Sequence, residues 1–434
     1  ELVTGLISEI DSDSKVKDFL IQHSAGSGKT LSITWLAHLL VRLTTKDVKI
    51  KSRFDHVIVV TDRIAIVRQL ERSIRMINKH DGMVAEVKNS RELVKAIADG
   101  KKIIVTTVQK FGKLKSIVGD LSGAKEKNFA LIIDEAHSGQ TGENASAIVD
   151  LLGKSLADEA AEIASGVQNI TYFAFTATPK AETLMKFGTD NKPYHIYSMK
   201  QAIQEGQILN VLKNYTNHEI FNKIYNTGDD KNLPSSIYAK RAMNSYIRSS
   251  KENLEYKVAV ILEHMVTGTL CNIGGLGRGM VVVSSRHDVE KYFTEIKRQI
   301  AELPELYGSV KPMAAFTDKI TVNGKEIMDA DLNGFKDTEI PSRLSEENLE
   351  SDTMRNLLIV ADKYQTGFDE PLLCSMYVDK SLSGITAVQT LSRLNRIRKQ
   401  NDKEDVAVLD FQDNESEIRK AFATYDVEAR IKTH

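Results

Sequence analysis

Cysteine is nearly absent. Cys271 and Cys374 stand far apart in 434 residues and in no metal-ligand spacing. That excludes a disulfide framework and predicts two buried thiols in a reducing compartment. No apolar run reaches the length of a membrane span, and no basic-plus-apolar leader opens the chain. A cytoplasmic protein with no membrane partner is therefore expected. Neither sign of charge dominates: 58 Lys and Arg face 59 Asp and Glu, for a net charge of −1. The whole-chain field gives no attraction to nucleic acid. Any such binding must come from local patches such as Lys101, Lys102, Lys110, Lys113 and Lys115, which read equally as solvated surface. Internal repeats and low-complexity tracts are also missing. What remains is ordinary globular composition, long enough for two or three domains.

The most informative stretch is DFLIQHSAGSGKT, residues 18–30. An apolar strand feeds a tight loop, and a helix opens behind it, with Ile33, Leu36, Leu40 and Leu43 at helical spacing. This is the build of a phosphate-binding loop. Gly26 and Gly28 let the backbone wrap closely and aim its N–H groups inward, with Ser27 between them. Lys29 supplies a point charge for the outer phosphates, and the Thr30 hydroxyl suits Mg²⁺. His23 stands where the usual spacing has glycine.

Short apolar runs alternate with helical patterns, which predicts α/β architecture with parallel sheets. Strands are expected at 19–22, 57–60, 103–105, 131–133 and 172–175, then at 280–283, 313–316, 357–360, 376–378 and 406–409. The two sets imply two lobes, residues 1–207 and 208–434, with a helical connector over about 211–270. The polar stretch 321–353 reads as a loop-rich insertion.

Further motifs follow these strands. LIIDEAH, 131–137, places Asp134 and Glu135 at a strand end, where ligands bind in open α/β sheets. Asp134 suits Mg²⁺ held through water, and Glu135 suits activation of an attacking water. TDR at 61–63 and TTVQKF at 106–111 suit phosphodiester contacts, with local turn hydrogen bonds as the alternative. FTATP at 175–179 offers hydroxyls on Thr176 and Thr178 that relay the state of the phosphate site, or a plain strand-to-turn ending. In the second half come QTGFDEP, 365–371, and QTLSRLNR, 389–396. On a helix Arg393 and Arg396 project from one face. They are either a pair of arginine fingers or a solvated basic face, and Gln389 on the same face favours a site.

HSAGSGKT, TDR, TTVQKF, DEAH, TATP, VVVSSR, TGFD and QTLSRLNR, in this order, resemble the motifs of superfamily 2 helicases and translocases over residues 18–398. DEAHSGQTG, VADKYQTGFDEPLLCSMYVDK and AVQTLSRLNR resemble more finely the motor (R) subunit of type I restriction enzymes. The resemblance implies two RecA-like lobes facing each other across an ATP and DNA cleft. It implies ATP and Mg²⁺ as cofactors, with Gly26, Ser27, Gly28, Lys29, Thr30 and Gln389 on the nucleotide and Thr30 and Asp134 on the metal. Glu135, Arg393 and Arg396 would be catalytic, and His137, Thr176, Thr178, Gly367 and Asp369 would couple the lobes. Arg63, Thr107, Gln109, Lys110 and Thr366 would lie near the backbone of double-stranded DNA. Methyltransferase and specificity subunits are the implied partners, and the nuclease residues of such subunits find no counterpart here. The runner-up expectation is another superfamily 2 motor, a repair translocase or RNA helicase. A nucleotide-gated switch without turnover is disfavoured by the presence of Lys29, Glu135 and Arg396 together.

Overall fold

The computed structural model describes residues 2–12, 18–44, 52–61, 84–87, 90–107, 127–136, 170–217, 251–365, 368–398, 400 and 402–427. They fall into two compact units that divide between Ala202 and Ile203, a few residues ahead of the expected boundary.

In the first unit, helix α1 (Leu2–Ser12) precedes strand β1 (Phe19–His23), and helix α2 (Lys29–Arg42) follows it. Then come β2 (His56–Thr61), β3 (Val84–Val87), helix α3 (Ser90–Ala98), β4 (Ile103–Thr107), β5 (Phe129–Ile133), β6 (Ile170–Thr176), helix α4 (Ala181–Phe187) and β7 (His195–Tyr197). The strands form one parallel sheet in the order β3-β4-β2-β5-β6-β1-β7. Alternation along each strand feeds two cores. Phe19, Ile21, Val57, Val59, Ile132 and Phe173 face one way, onto Ile33, Leu36 and Leu40 of α2. Leu20, Ile58, Val60, Leu131, Ile133 and Ala174 face the other, onto Leu93 and Ile97 of α3. Burial on both faces is why these strands read as unbroken apolar runs.

The second unit holds β8 (Asn214–Asn217), helix α5 (Lys251–Thr267), β9 (Arg278–Val283), helix α6 (Arg286–Glu302), β10 (Pro312–Ala315), β11 (Ile320–Val322), β12 (Lys325–Ile327), β13 (Leu357–Val360), β14 (Leu373–Asp379), helix α7 (Gly384–Leu391), β15 (Ala407–Asp410) and helix α8 (Glu415–Val427). Its parallel sheet runs β10-β13-β9-β14-β15-β8. The polar insertion contains the antiparallel β11–β12 hairpin. The expected connector begins with the strand β8, paired on β15, and ends with the helix α5.

Two expectations need correction. The stretch Glu252–Gly275 is long and apolar enough to cross a membrane by length and composition. It carries Val258, Ile261, Leu262 and Met265 into the core against Val281, Val283 and Tyr377, as a helix laid on a sheet does. Cys374 is buried but Cys271 is exposed, because it sits in the tight turn Thr269–Gly275 beyond α5.

Candidate functional site

All strands of the first sheet are parallel, so the segments that follow β1, β2, β4, β5 and β6 emerge at one edge. The loop after β1 turns back through Gly26 (φ 85°) and Gly28 (φ 95°). A Cβ on Gly28 would meet no atom within 4 Å. The backbone conformation, not lack of space, is what requires glycine there. Gly28 caps α2 and leaves the helix N-terminus facing the loop, a ready anion site.

Lys29, the first residue of α2, reaches across to the loop after β5. Its ammonium lies 3.1 Å from Asp134 Oδ1 and in direct contact with Glu135 Oε1. Burial alone would pull this ammonium down, but the two carboxylates outweigh it and hold its pKa above the ordinary lysine value. Backbone bonds fix the acids in place: Asp134 N donates to Val60 O (2.9 Å) and Ala136 N to Phe175 O (3.0 Å). Glu135 itself adopts a left-handed conformation, φ 53°, which costs a non-glycine residue about 1 kcal/mol or more. Thr176 and Thr178 are fully buried next door, with Thr178 N donating to Thr176 Oγ1 (3.2 Å), and Thr176 pairs with Gln22 in register. Thr30 opens α2 beside Lys29, its carbonyl accepting from Thr34 Oγ1 at 2.8 Å.

His23, which departs from the usual motif, is built into the loop. Its Nδ1 lies 2.9 Å from Ser27 Oγ and its Nε2 3.3 Å from Ser32 Oγ, with the Tyr197 ring packed edge-on at 5.0 Å. Burial first, then the Lys29 charge, pushes its pKa down to about 4. The fold thus favours neutral His23, while the unfolded chain binds the extra proton from about pH 6.5 downward. This contribution is complete above pH 6.5 and fades as pH falls toward 4, by up to about 3 kcal/mol. Urea unfolding at pH 4.5 and 7 is expected to show a steeper loss in wild type than in His23→Asn. Parallel pH dependence in the two proteins would rule this out.

In the second unit, α7 ends at Leu391, so Arg393 and Arg396 do not share a helix face as expected. They lie in the turn that follows. Arg393 turns inward and is 6% exposed, donating from Nε to Gln389 O (3.1 Å) and from Nη1 to Phe368 O (2.8 Å). Arg396 is more open and pairs through Nε with Asp369 Oδ1 at 3.1 Å, which ties the two second-half motifs together. The turn is held from outside as well. Ile208 bridges Arg396, Leu209 N donates to Asn395 O (2.8 Å), and Lys403 Nζ donates to Leu394 O (3.0 Å). Burial lowers the Lys403 pKa to about 8. Lys403, which lies beyond both arginines, carried no motif signal.

Thr107 ends β4, paired with Thr61 at the end of β2, on the same edge as the Gly26–Gly28 loop. Arg63, Gln109, Lys110, His137, Thr366 and Gly367 lie outside the described residues. Among the described residues, no three His, Cys, Asp or Glu side chains cluster to hold a metal.

The SWI2/SNF2 ATPase family model matches residues 3–241, and a type I restriction enzyme subunit R domain 3 model matches residues 313–413. The type I restriction enzyme SauMRSORF196P endonuclease subunit of Staphylococcus aureus (strain MRSA252) is 25% identical over 88% of this chain, which spans 40% of that protein's length. A fragment of an HsdR subunit of a type I restriction enzyme from Vibrio vulnificus YJ016 shares the fold at TM-score 0.57 and 14% identity, covering 96% of this chain and 64% of that one. The ATP-dependent Type ISP restriction-modification enzyme LlaBIII bound to DNA does so at TM-score 0.57 and 13% identity, covering 94% and 27%. The chain belongs to the SWI2/SNF2 ATPase family and is similar to the R subunits of type I restriction enzymes.

Proposed function

We propose that the chain is the ATP-driven motor of a type I restriction enzyme R subunit and moves along double-stranded DNA. The observation that carries this is Lys29 held against Asp134 and Glu135 at the mouth of a glycine-turned loop. The left-handed Gly26 and Gly28, the helix N-terminus and the buried ammonium fit a triphosphate. The Thr30 hydroxyl and Asp134 carboxylate are hard oxygen ligands that fit Mg²⁺. The bound metal would neutralise charge on the phosphate oxygens.

In this reading the loop from Gly26 to Thr30 binds the phosphates with help from Gln389, and Lys29 leaves the acids to meet them. Glu135 takes a proton from the attacking water. Arg396 stabilises charge in the transition state, and Arg393 holds the turn that presents it. His137, Thr176, Thr178, Gly367 and Asp369 couple the phosphate site to movement. Arg63, Thr107, Gln109, Lys110 and Thr366 contact the DNA backbone. The nuclease site lies in another part of the subunit, the methyltransferase and specificity subunits are partners, and the complex works in the cytoplasm.

Steady-state ATPase with duplex DNA, single-stranded DNA and RNA tests the substrate. Duplex DNA is expected to stimulate most, and stimulation by RNA alone would favour an RNA helicase instead. Duplex affinity is expected to fall steeply with salt and to ignore sequence, because backbone contacts release counterions without reading bases. Titration of unrelated duplexes at several salt concentrations checks this, and a strong preference for one sequence would refute it.

A further inference from the structure

We infer that His23 is a positioning residue for the phosphate loop, acting as a neutral imidazole protonated on Nδ1. This rests on the proposed ATPase reading of the same loop. The donor and acceptor roles follow from a chain with one fixed end. Ser24 O can only accept, so the Ser27 hydroxyl donates to it, at 2.7 Å. Ser27 Oγ then accepts from His23 Nδ1–H. His23 Nε2 is left with its lone pair and accepts from the Ser32 hydroxyl on the first turn of α2. The imidazole thus spans from the loop to the helix it feeds, and it is 5% exposed. The lowered pKa agrees with the neutral ring this chain requires.

The function follows from what Ser27 does. It sits between the two left-handed glycines, and its hydroxyl, locked on both sides, fixes the orientation of the peptide units around it. Those peptide N–H groups are the ones a phosphate meets. Glycine in place of His23 would leave the loop to be ordered by the ligand. With His23 part of that ordering precedes binding, which favours a lower KM for nucleotide.

Asparagine reproduces the Nδ1 position of histidine and glutamine reproduces Nε2. His23→Asn is therefore expected to keep the Ser27 bond and hold the KM for ATP within about threefold of wild type. His23→Gln and His23→Ala are expected to raise KM about tenfold, with a smaller change in kcat. A purely structural role would lower the melting temperature of all three without this ordering in KM. Long-range ¹⁵N correlation spectra of the intact protein at pH 7.5, with His23 assigned by its loss in His23→Asn, are expected to show the Nδ1–H tautomer. An Nε2–H or charged ring, or equal KM values across the three variants, would overturn the inference. The spectra need no turnover. An inactive wild type would count against the ATPase reading, while the tautomer would still decide the role of His23.

Discussion

Lys29→Ala is expected to abolish ATP hydrolysis and to weaken the first unit at the same time. The loss of activity follows from removing the loop's only ammonium. The loss of stability follows from what that ammonium touches. Asp134 is almost wholly buried and Glu135 about two-thirds so, and both carboxylates lean on Lys29. Taking away the cation leaves two like charges side by side in a poorly hydrated pocket. Breaking a buried pair by removing one partner costs about 3–5 kcal/mol, and the partial exposure of Glu135 places this case near the lower end. Sequence reasoning alone gives activity loss with an unchanged fold, since the acids' dependence on Lys29 is not written in the motif. ATPase assays and urea unfolding, run on wild type, Lys29→Ala and Lys29→Ala with Asp134→Asn, separate the two effects. The second substitution is expected to restore part of the stability and none of the activity. Turnover at the wild-type level in Lys29→Ala would remove the phosphate-loop assignment.

Arg396→Ala is expected to bind nucleotide normally and to hydrolyse it about a thousandfold more slowly, as loss of an arginine finger does. Arg393→Ala is expected to behave differently. Its guanidinium is spent on the carbonyls of Gln389 and Phe368, so its removal loosens the turn and lowers stability as well as rate. The double variant is then expected to lose less than the two single losses combined, because both act through one turn. Single-turnover ATPase alongside nucleotide titration distinguishes the roles. Nucleotide affinity lost in proportion to rate in Arg396→Ala would make it a ground-state ligand instead.

The fold was legible where burial is two-sided. VIVV at 57–60 and LII at 131–133 lie in the middle of a sheet covered on both faces, so their composition alone marks them. The edge strands β3, β7 and β8 gave no such signal, whereas β10, also at an edge, did through its buried Met313, Ala314 and Ala315. NYTN at 214–217 is polar and half exposed, and it is a strand only because β15 offers it backbone partners. HIY at 195–197 is similar, paired along β1 at the opposite end of its own sheet. The site divides in the same way. Lys29 and Glu135 were readable as members of motifs although 106 residues separate them. The roles of His23 and Lys403 were not, because each depends on partners brought together by the fold. The helix through Arg393 and Arg396 was misjudged for the opposite reason. Its local pattern continues beyond Leu391, but backbone and side-chain bonds from Leu209 and Lys403 hold those residues in a turn.

The left-handed backbone at Glu135 bears on any attempt to make this protein more heat-resistant. A stability screen at that position would favour glycine, which takes the same conformation without strain and still leaves Asp134 to pair with Lys29. The same substitution deletes the group proposed to activate water. Selection for thermal tolerance alone would therefore drift toward an inert protein at this residue, and a useful screen has to score turnover in the same round.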